Sequence, residues 1–284
     1  MKKVVFFIFY TFFMVLLGRQ LTFLPTFHAP TLTSQKTLSN NELRDHIKTA
    51  IGDFKGDYSV YYEDLVTGGA FGIDHNTVLT AASLNKVPVV FYLYSLASER
   101  KINLEEKIVL QESDIQDYGT GVLRYREPGE AYTLKRLAEL SFHHSDNTAI
   151  HLLTIRLGED NIQSFVDNLG MGATSIAYNE TSPRDMGNLF SQFYMGKLMS
   201  EPLKRELMDY LSNTEFEDRI PRYLEEDVVV YHKTGDHDNM VHDGGVVDDG
   251  KNPFVLIVMS QGIIDEDNAR DTIGVIAKEI IEKR

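Results

Sequence analysis

Cysteine is absent from the 284 residues. That absence excludes disulfides, thiolate metal sites, a cysteine nucleophile and lipid attachment at a processed N-terminal cysteine. Positive charge is scarce: 28 Lys and Arg face 42 Asp and Glu, a formal net charge of −14. A surface of that sign repels phosphate backbones, so nucleic acid is excluded as a partner. The chain has no internal repeat, no low-complexity tract and no clear small-x-small cleavage junction near its start. Its longest early apolar run, Val4–Leu17, is short of the roughly 20 residues that a membrane-spanning helix needs.

What is present is the composition of a folded domain. Hydrophobic residues make up 43% and charged residues 25%, close to the globular average, which argues against a long disordered or fibrous chain. The length suffices for one large domain or two small ones with a sizeable core. Lys2 and Lys3 before the apolar run, and Arg19 after it, form the first two parts of an export signal. Residues 1–24 are therefore expected to be a signal peptide or a membrane anchor with its basic end in the cytoplasm. Residues 25–39, rich in Pro, Thr and Ser, read as a tether, and the protein is expected to be exported, either secreted or membrane-anchored.

From residue 40 the patterns alternate between periods of 3.6 and 2. Ser39 or Asn40 caps a helix to about Ile51, and Tyr58–Leu65 with Ala70–Ile73 reads as a hairpin around a Gly-Gly turn. Helical spacing recurs over 83–98, 134–142, 147–157, 161–169, 183–198 and 202–211. Short β-rich runs follow at 228–233, 244–247 and 254–261, then a helix over 271–283. This order predicts an α/β fold: one antiparallel sheet built from both chain ends and flanked by the terminal helices (40–82 and 225–284), with an all-α lobe (83–224) inserted. Sites form readily at such a seam.

Three short motifs occur in order: Ser83-Leu-Asn-Lys86, Ser145-Asp-Asn147 and Lys233-Thr-Gly235. Ser83 and Lys86 lie three apart on a helix and share one face. A serine hydroxyl needs a base to take its proton, and a lysine serves only when neutral. Burial and a second cation, for which Lys233 is the candidate, both lower a lysine's pKa. A nucleophile in the first helical turn also has an unpaired N–H to offer an oxyanion, with the helix's positive end behind it. Pro88 removes one helical hydrogen bond, so a tightened or bent first turn is expected.

With Ala81–Pro88, Ser145–Ala149, Thr181–Met186 and His232–Gly235, the chain resembles the class A β-lactamase and penicillin-binding protein superfamily from about residue 40 to its end. The resemblance implies that Ser83 is acylated by an amide carbonyl, that Lys86 accepts its proton and that Ser145 relays a proton to the leaving nitrogen. It implies that Asn147 holds the substrate's side-chain amide and steadies Lys86, and that Lys233 and Thr234 bind a substrate carboxylate. Gly235 completes that motif, and the backbone N–H groups of Ser83 and Asp236 would form the oxyanion hole. The implied substrate is a β-lactam or a peptidoglycan peptide ending in D-Ala-D-Ala, handled by a monomer without metal or cofactor. A β-lactam-binding sensor is the remaining alternative.

One departure stands out. Class A β-lactamases carry a loop before the T-x-P-x-x-M segment that presents the glutamate activating the deacylating water. Here Gly172–Glu180 runs almost directly into Thr181-Ser-Pro183, without room for that loop. Glu180, the only glutamate in the stretch, matches the residue closing the loop better than the catalytic one. The expectation is an enzyme that acylates but releases slowly. The cluster of His232, His237 and His242 with Asp236, Asp238 and Asp243 matches no metal-binding spacing and reads as strand ends and a polar turn beside the cleft. His143, His144 and His151 read as packing or surface residues, and Tyr118 as either a substrate contact or core.

Overall fold

Phe254–Gln261 is apolar almost without interruption, and such a run belongs in a strand covered on both faces. In a computed structural model, which describes residues 38–52 and 56–284, it is the central strand β9 of a five-stranded antiparallel sheet, buried from Phe254 to Ser260. The expected N-terminal signal or anchor, 1–24, and all but the last two residues of the tether lie outside the described residues.

The elements on the two ends of the chain make the sheet. They are α1 (Asn40–Ile51), β1 (Asp57–Asp64), β2 (Ala70–Ile73), β7 (Val229–His237), β8 (Met240–Asp248), β9 and α8 (Glu266–Lys283). The strand order is β2-β1-β9-β8-β7, antiparallel throughout. Between β2 and β7 come β3 (Leu79–Thr80), a 3₁₀ turn (Ala82–Asn85), α2 (Lys86–Ser98), β4 (Lys107–Val109) and β5 (Ala131–Thr133). These lead into α3 (Leu134–His143), α4 (Asn147–Leu157), α5 (Glu159–Asn168), β6 (Glu180–Thr181), α6 (Pro183–Tyr194) and α7 (Glu201–Ser212).

Each face of the sheet buries its own core. On one face Leu43 and Ile47, four apart on α1, pack with Ile273, Ile276 and Ile280 of α8 against Val60, Tyr62 and Val258. On the other face Val246, Val255, Ile257 and Met259 join the core of the helices. There Phe91 of α2 stacks on Phe193 at 4.3 Å and meets Phe142 and Phe190 edge-on. Each such side chain contributes about 1.5–3 kcal/mol by leaving water, and together they fix α2, which starts at Lys86 directly after the 3₁₀ turn holding Ser83, against the sheet.

Where the structure departs from expectation, the causes are local. Strand β8 covers Met240–Asp248 rather than 244–247, because main-chain pairing with β7 and β9 carries strand structure through residues of low β-propensity. Helix α6 stops at Tyr194, two residues before Gly196, instead of reaching 198. Helix α8 begins at Glu266, since the Asp265 side chain accepts the Asn268 N–H and caps it. The expected helix over 83–98 is a 3₁₀ turn followed by α2, consistent with the tightening anticipated from Pro88, which has no N–H to offer in the first turn.

Candidate active site

Ser83 sits in the 3₁₀ turn, immediately after Ala82, whose φ is +49°. Ser145 has φ +50°. A non-glycine residue in the left-handed region costs on the order of 1–3 kcal/mol and persists only where the surroundings impose it. Two such residues flank the same chemistry here.

The imposing contacts around Ser145 come from Asp146, which is fully buried. It caps α4 through the Ala149 N–H at 2.9 Å and accepts the N–H groups of Val122 and Leu123 at 2.6 and 2.8 Å. One carboxylate thus ties the start of α4 to the 118–123 loop. Thr120 donates its hydroxyl to the Ser145 carbonyl at 2.9 Å, and Asn147 donates its side-chain amide to the Tyr118 carbonyl at 3.0 Å. Gly119 is required there twice over. Its φ is +67°, and a Cβ would stand 2.4 Å from the Asn147 amide nitrogen.

The structure brings the three motifs together. The Lys86 Nζ lies 3.0 Å from Ser83 Oγ, 3.0 Å from Ser145 Oγ and 2.7 Å from Asn147 Oδ1, and it also contacts the Ser145 carbonyl. The Lys233 Nζ approaches the other side of Ser145 Oγ at 2.9 Å and donates to the Thr234 carbonyl at 2.8 Å. One hydroxyl therefore bridges two buried amines. Burial first, and the Lys233 charge second, hold Lys86 well below the usual lysine range. Burial and Arg219 bring Lys233 down to about 7.

Strand β7 reaches Ser83 through Gly235. A Cβ at this position would stand 3.1 Å from the Ala81 carbonyl oxygen and 3.2 Å from the Ser83 nitrogen, both backbone atoms that cannot step aside. The glycine is what lets the strand lie against the turn. Ser83, Lys86, Ser145, Asn147, Thr234 and Asp236 all line one cavity of about 660 Å³. Tyr118, 64% exposed, lines it as well, so of its two expected readings the structure supports the cleft rather than the core.

Sequence reasoning missed several residues. Thr120 and Arg219 carry no motif signal, and Asp146, although inside the Ser145-Asp-Asn147 motif and recognisable as a helix cap, was given no role of its own. Phe216, which joins the cavity wall and lies 5.8 Å below the Lys233 Nζ, is equally silent in sequence. The polar cluster on β7 and β8 disperses among separate partners. His232 binds Asp243 at 2.8 Å, His242 faces the Thr80 carbonyl at 2.9 Å, and Asp236 takes Arg219. Glu180 is exposed on β6, outside the cavity wall, with its backbone paired to Ser175 and Thr80.

His232, fully buried beside Lys233, titrates unusually. Burial alone would lower its pKa, but the Asp243 carboxylate and the more distant Glu217 outweigh that and raise it to about 9. A folded-state pKa above the unfolded 6.5 adds stability that is fully present below pH 6.5 and lost as pH rises through 9. The thermal midpoint of the parent should therefore exceed that of His232→Gln most at pH 6.5, and the gap should narrow toward pH 9. A gap that widens over that range contradicts the protonated imidazole.

A hydroxyl three residues from a buried amine, at the mouth of a cleft between helices and sheet, is the site of a serine hydrolase-type enzyme. The chain belongs to the Beta-lactamase enzyme family, whose model matches residues 42–283. Beta-lactamase BRO-1 of Moraxella catarrhalis is 23% identical over 175 residues, 56% of this chain; the chain spans about half, 56%, of that curated relative's length. Among solved structures, PBP-A superposes with a TM-score of 0.80 at 24% identity, covering 87% of this chain and 97% of that one. A mutant of PBP-A, solved as an acyl-enzyme complex with penicillin G, gives 0.79 at 23% identity, covering 87% and 97%. These likenesses establish the β-lactamase fold.

Proposed function

We propose that the protein is a class A β-lactamase-like serine hydrolase of β-lactam amides that acylates at Ser83 and deacylates slowly. The observation that carries this reading is the 3.0 Å contact between Ser83 Oγ and the buried Lys86 Nζ, with Ser145 Oγ held between two lysines. In this reading Lys86 takes the Ser83 proton as Oγ attacks the lactam carbonyl carbon. The amide N–H groups of Ser83 and Asp236 receive the developing oxyanion. As the C–N bond breaks, Ser145 Oγ passes a proton to the leaving nitrogen and regains one from its lysine neighbours. Lys233 and Thr234 bind the substrate carboxylate, and the penicillin acyl-enzyme of PBP-A is in keeping with that substrate class.

The Ser175–Glu180 hairpin supports slow release. Its ends pair directly, Ser175 N–H to Glu180 O at 2.9 Å and Glu180 N–H to Ser175 O at 3.0 Å, and Glu180 faces solvent outside the cavity wall. A deacylating water in the cavity would lack Glu180 as its base, and general-base assistance is typically worth 10²–10⁴-fold. With a chromogenic cephalosporin, rapid mixing should give a burst of one equivalent per enzyme, then turnover much slower than the burst. Linear turnover from the first milliseconds contradicts slow deacylation.

A peptidase of D-Ala-D-Ala peptides uses the same acyl-serine chemistry, and the short hairpin favours it as the second reading. D-Ala release from such a peptide at a rate exceeding β-lactam turnover would establish it. Export of the protein, through residues 1–24, remains part of the proposal and is tested by locating the mature N-terminus.

A further inference from the structure

Lys233 is buried and, among the described residues, forms no ion pair. Its Nζ donates to two oxygens there, Ser145 Oγ at 2.9 Å and the Thr234 carbonyl at 2.8 Å. An ammonium carries three donors, so one N–H is left without an oxygen. What stands beside it is an aromatic ring. Nζ lies over the ring of Phe216, 5.8 Å from the centroid, within the roughly 6 Å over which a ring face attracts a cation.

The local chain is fastened so as to hold that ring. Phe216 sits between α7 and the 3₁₀ turn Ile220–Tyr223. On one side the Glu215 N–H donates to the His143 carbonyl at 3.2 Å, and the Glu215 carboxylate stands 2.9 Å from the His144 ring nitrogen. On the other, Thr214 Oγ1 accepts the Phe216 N–H at 3.1 Å and donates to Glu217 at 2.8 Å, and Glu217 faces His232 at 3.5 Å. The ring between these anchors joins Ser83, Ser145 and Thr234 in the cavity wall.

The charges around Lys233 give the ring a task. Burial disfavours the ammonium, and so do two other cations, Arg219 and, from α2, Lys86. Asp243 on β8 and Asp236 on β7 favour it from a distance. The face of an aromatic ring is negative, and its attraction for a cation is greatest where water is excluded.

We infer that the Phe216 ring is the third partner of the Lys233 ammonium, a positioning residue that keeps this cation charged and aimed at the substrate carboxylate. This rests on the proposed function, in which Ser83 is acylated and Lys233 receives that carboxylate.

The test alters the electrons of the ring and leaves its shape nearly unchanged. Phenylalanines carrying one, two and three ring fluorines are incorporated at position 216 of the full chain, and Ser83 acylation by benzylpenicillin is followed by intact mass across pH. Fluorine withdraws charge from the ring face and weakens its hold on the ammonium, so Lys233 loses its proton at lower pH. The alkaline limb of the second-order rate constant should step down with each fluorine. With three it should lie about 0.4–1.5 pH units below the parent, roughly a 2- to 30-fold change in the protonation equilibrium. Phe216→Leu, which keeps an apolar side chain without a ring, should move the limb the same way, and Phe216→Tyr should leave it near the parent's. A limb that stays fixed or moves up along the fluorine series overturns the inference. Should a substitution fail to fold, the fluorine series decides alone. If no Ser83 adduct forms in the parent, the proposed function falls and this role with it. An adduct with an unmoved limb defeats the role of Phe216 alone.

Discussion

Ser83→Ala should abolish the covalent adduct with penicillin and reduce turnover by on the order of 10⁴-fold or more, the scale on which a catalytic serine acts together with its base. The variant should fold normally. The Ser83 hydroxyl bonds only to Lys86 among the described residues, and the surrounding turn is held by backbone and neighbouring side chains. What is lost is the atom that becomes covalent, so non-covalent binding of the substrate should persist. A variant that retains the adduct would place the nucleophile elsewhere.

Lys86→Ala should lower the acylation rate by about 10²–10⁴-fold, the usual worth of a positioned general base. The pH profile should change with it. Because burial and the Lys233 charge depress the folded-state pKa of Lys86, its amine form is reached at lower pH than in an ordinary lysine, and acylation of the parent should rise with pH through that depressed value. Lys233, at about 7, loses its charge as pH climbs past neutrality, so attraction for an anionic substrate should fade on the alkaline side. The two lysines share Ser145 and titrate as a pair, giving a bell-shaped profile whose limbs belong to both. In Lys86→Ala the acid limb should disappear. A variant that keeps both its rate and its acid limb would remove Lys86 from the proton path.

The reach of the sequence was uneven, for physical reasons. Fold class was legible because periodicity and capping are local: Ser39 does cap α1, in a reciprocal capping box with Glu42, and α4 runs from Asn147 to Leu157 as spaced. The shortened 172–180 segment was legible because a chain of given length cannot span a longer loop. The motif residues were legible as letters, and their convergence on one cavity could be seen only in three dimensions. Nothing in the sequence marks Ala82 for a positive φ, since alanine is not a residue that seeks the left-handed region. Nor could the pairing of Arg219 with Asp236 be anticipated. It joins residues on a turn and a strand through a contact that only tertiary packing creates.

The central claim is tested most directly by mixing the full chain with benzylpenicillin, quenching, and mapping the added mass by peptide fragmentation. One penicilloyl group on Ser83, absent from Ser83→Ala and persisting long after excess drug is removed, is the result expected. A label on another residue, or a label equally present in Ser83→Ala, would contradict it.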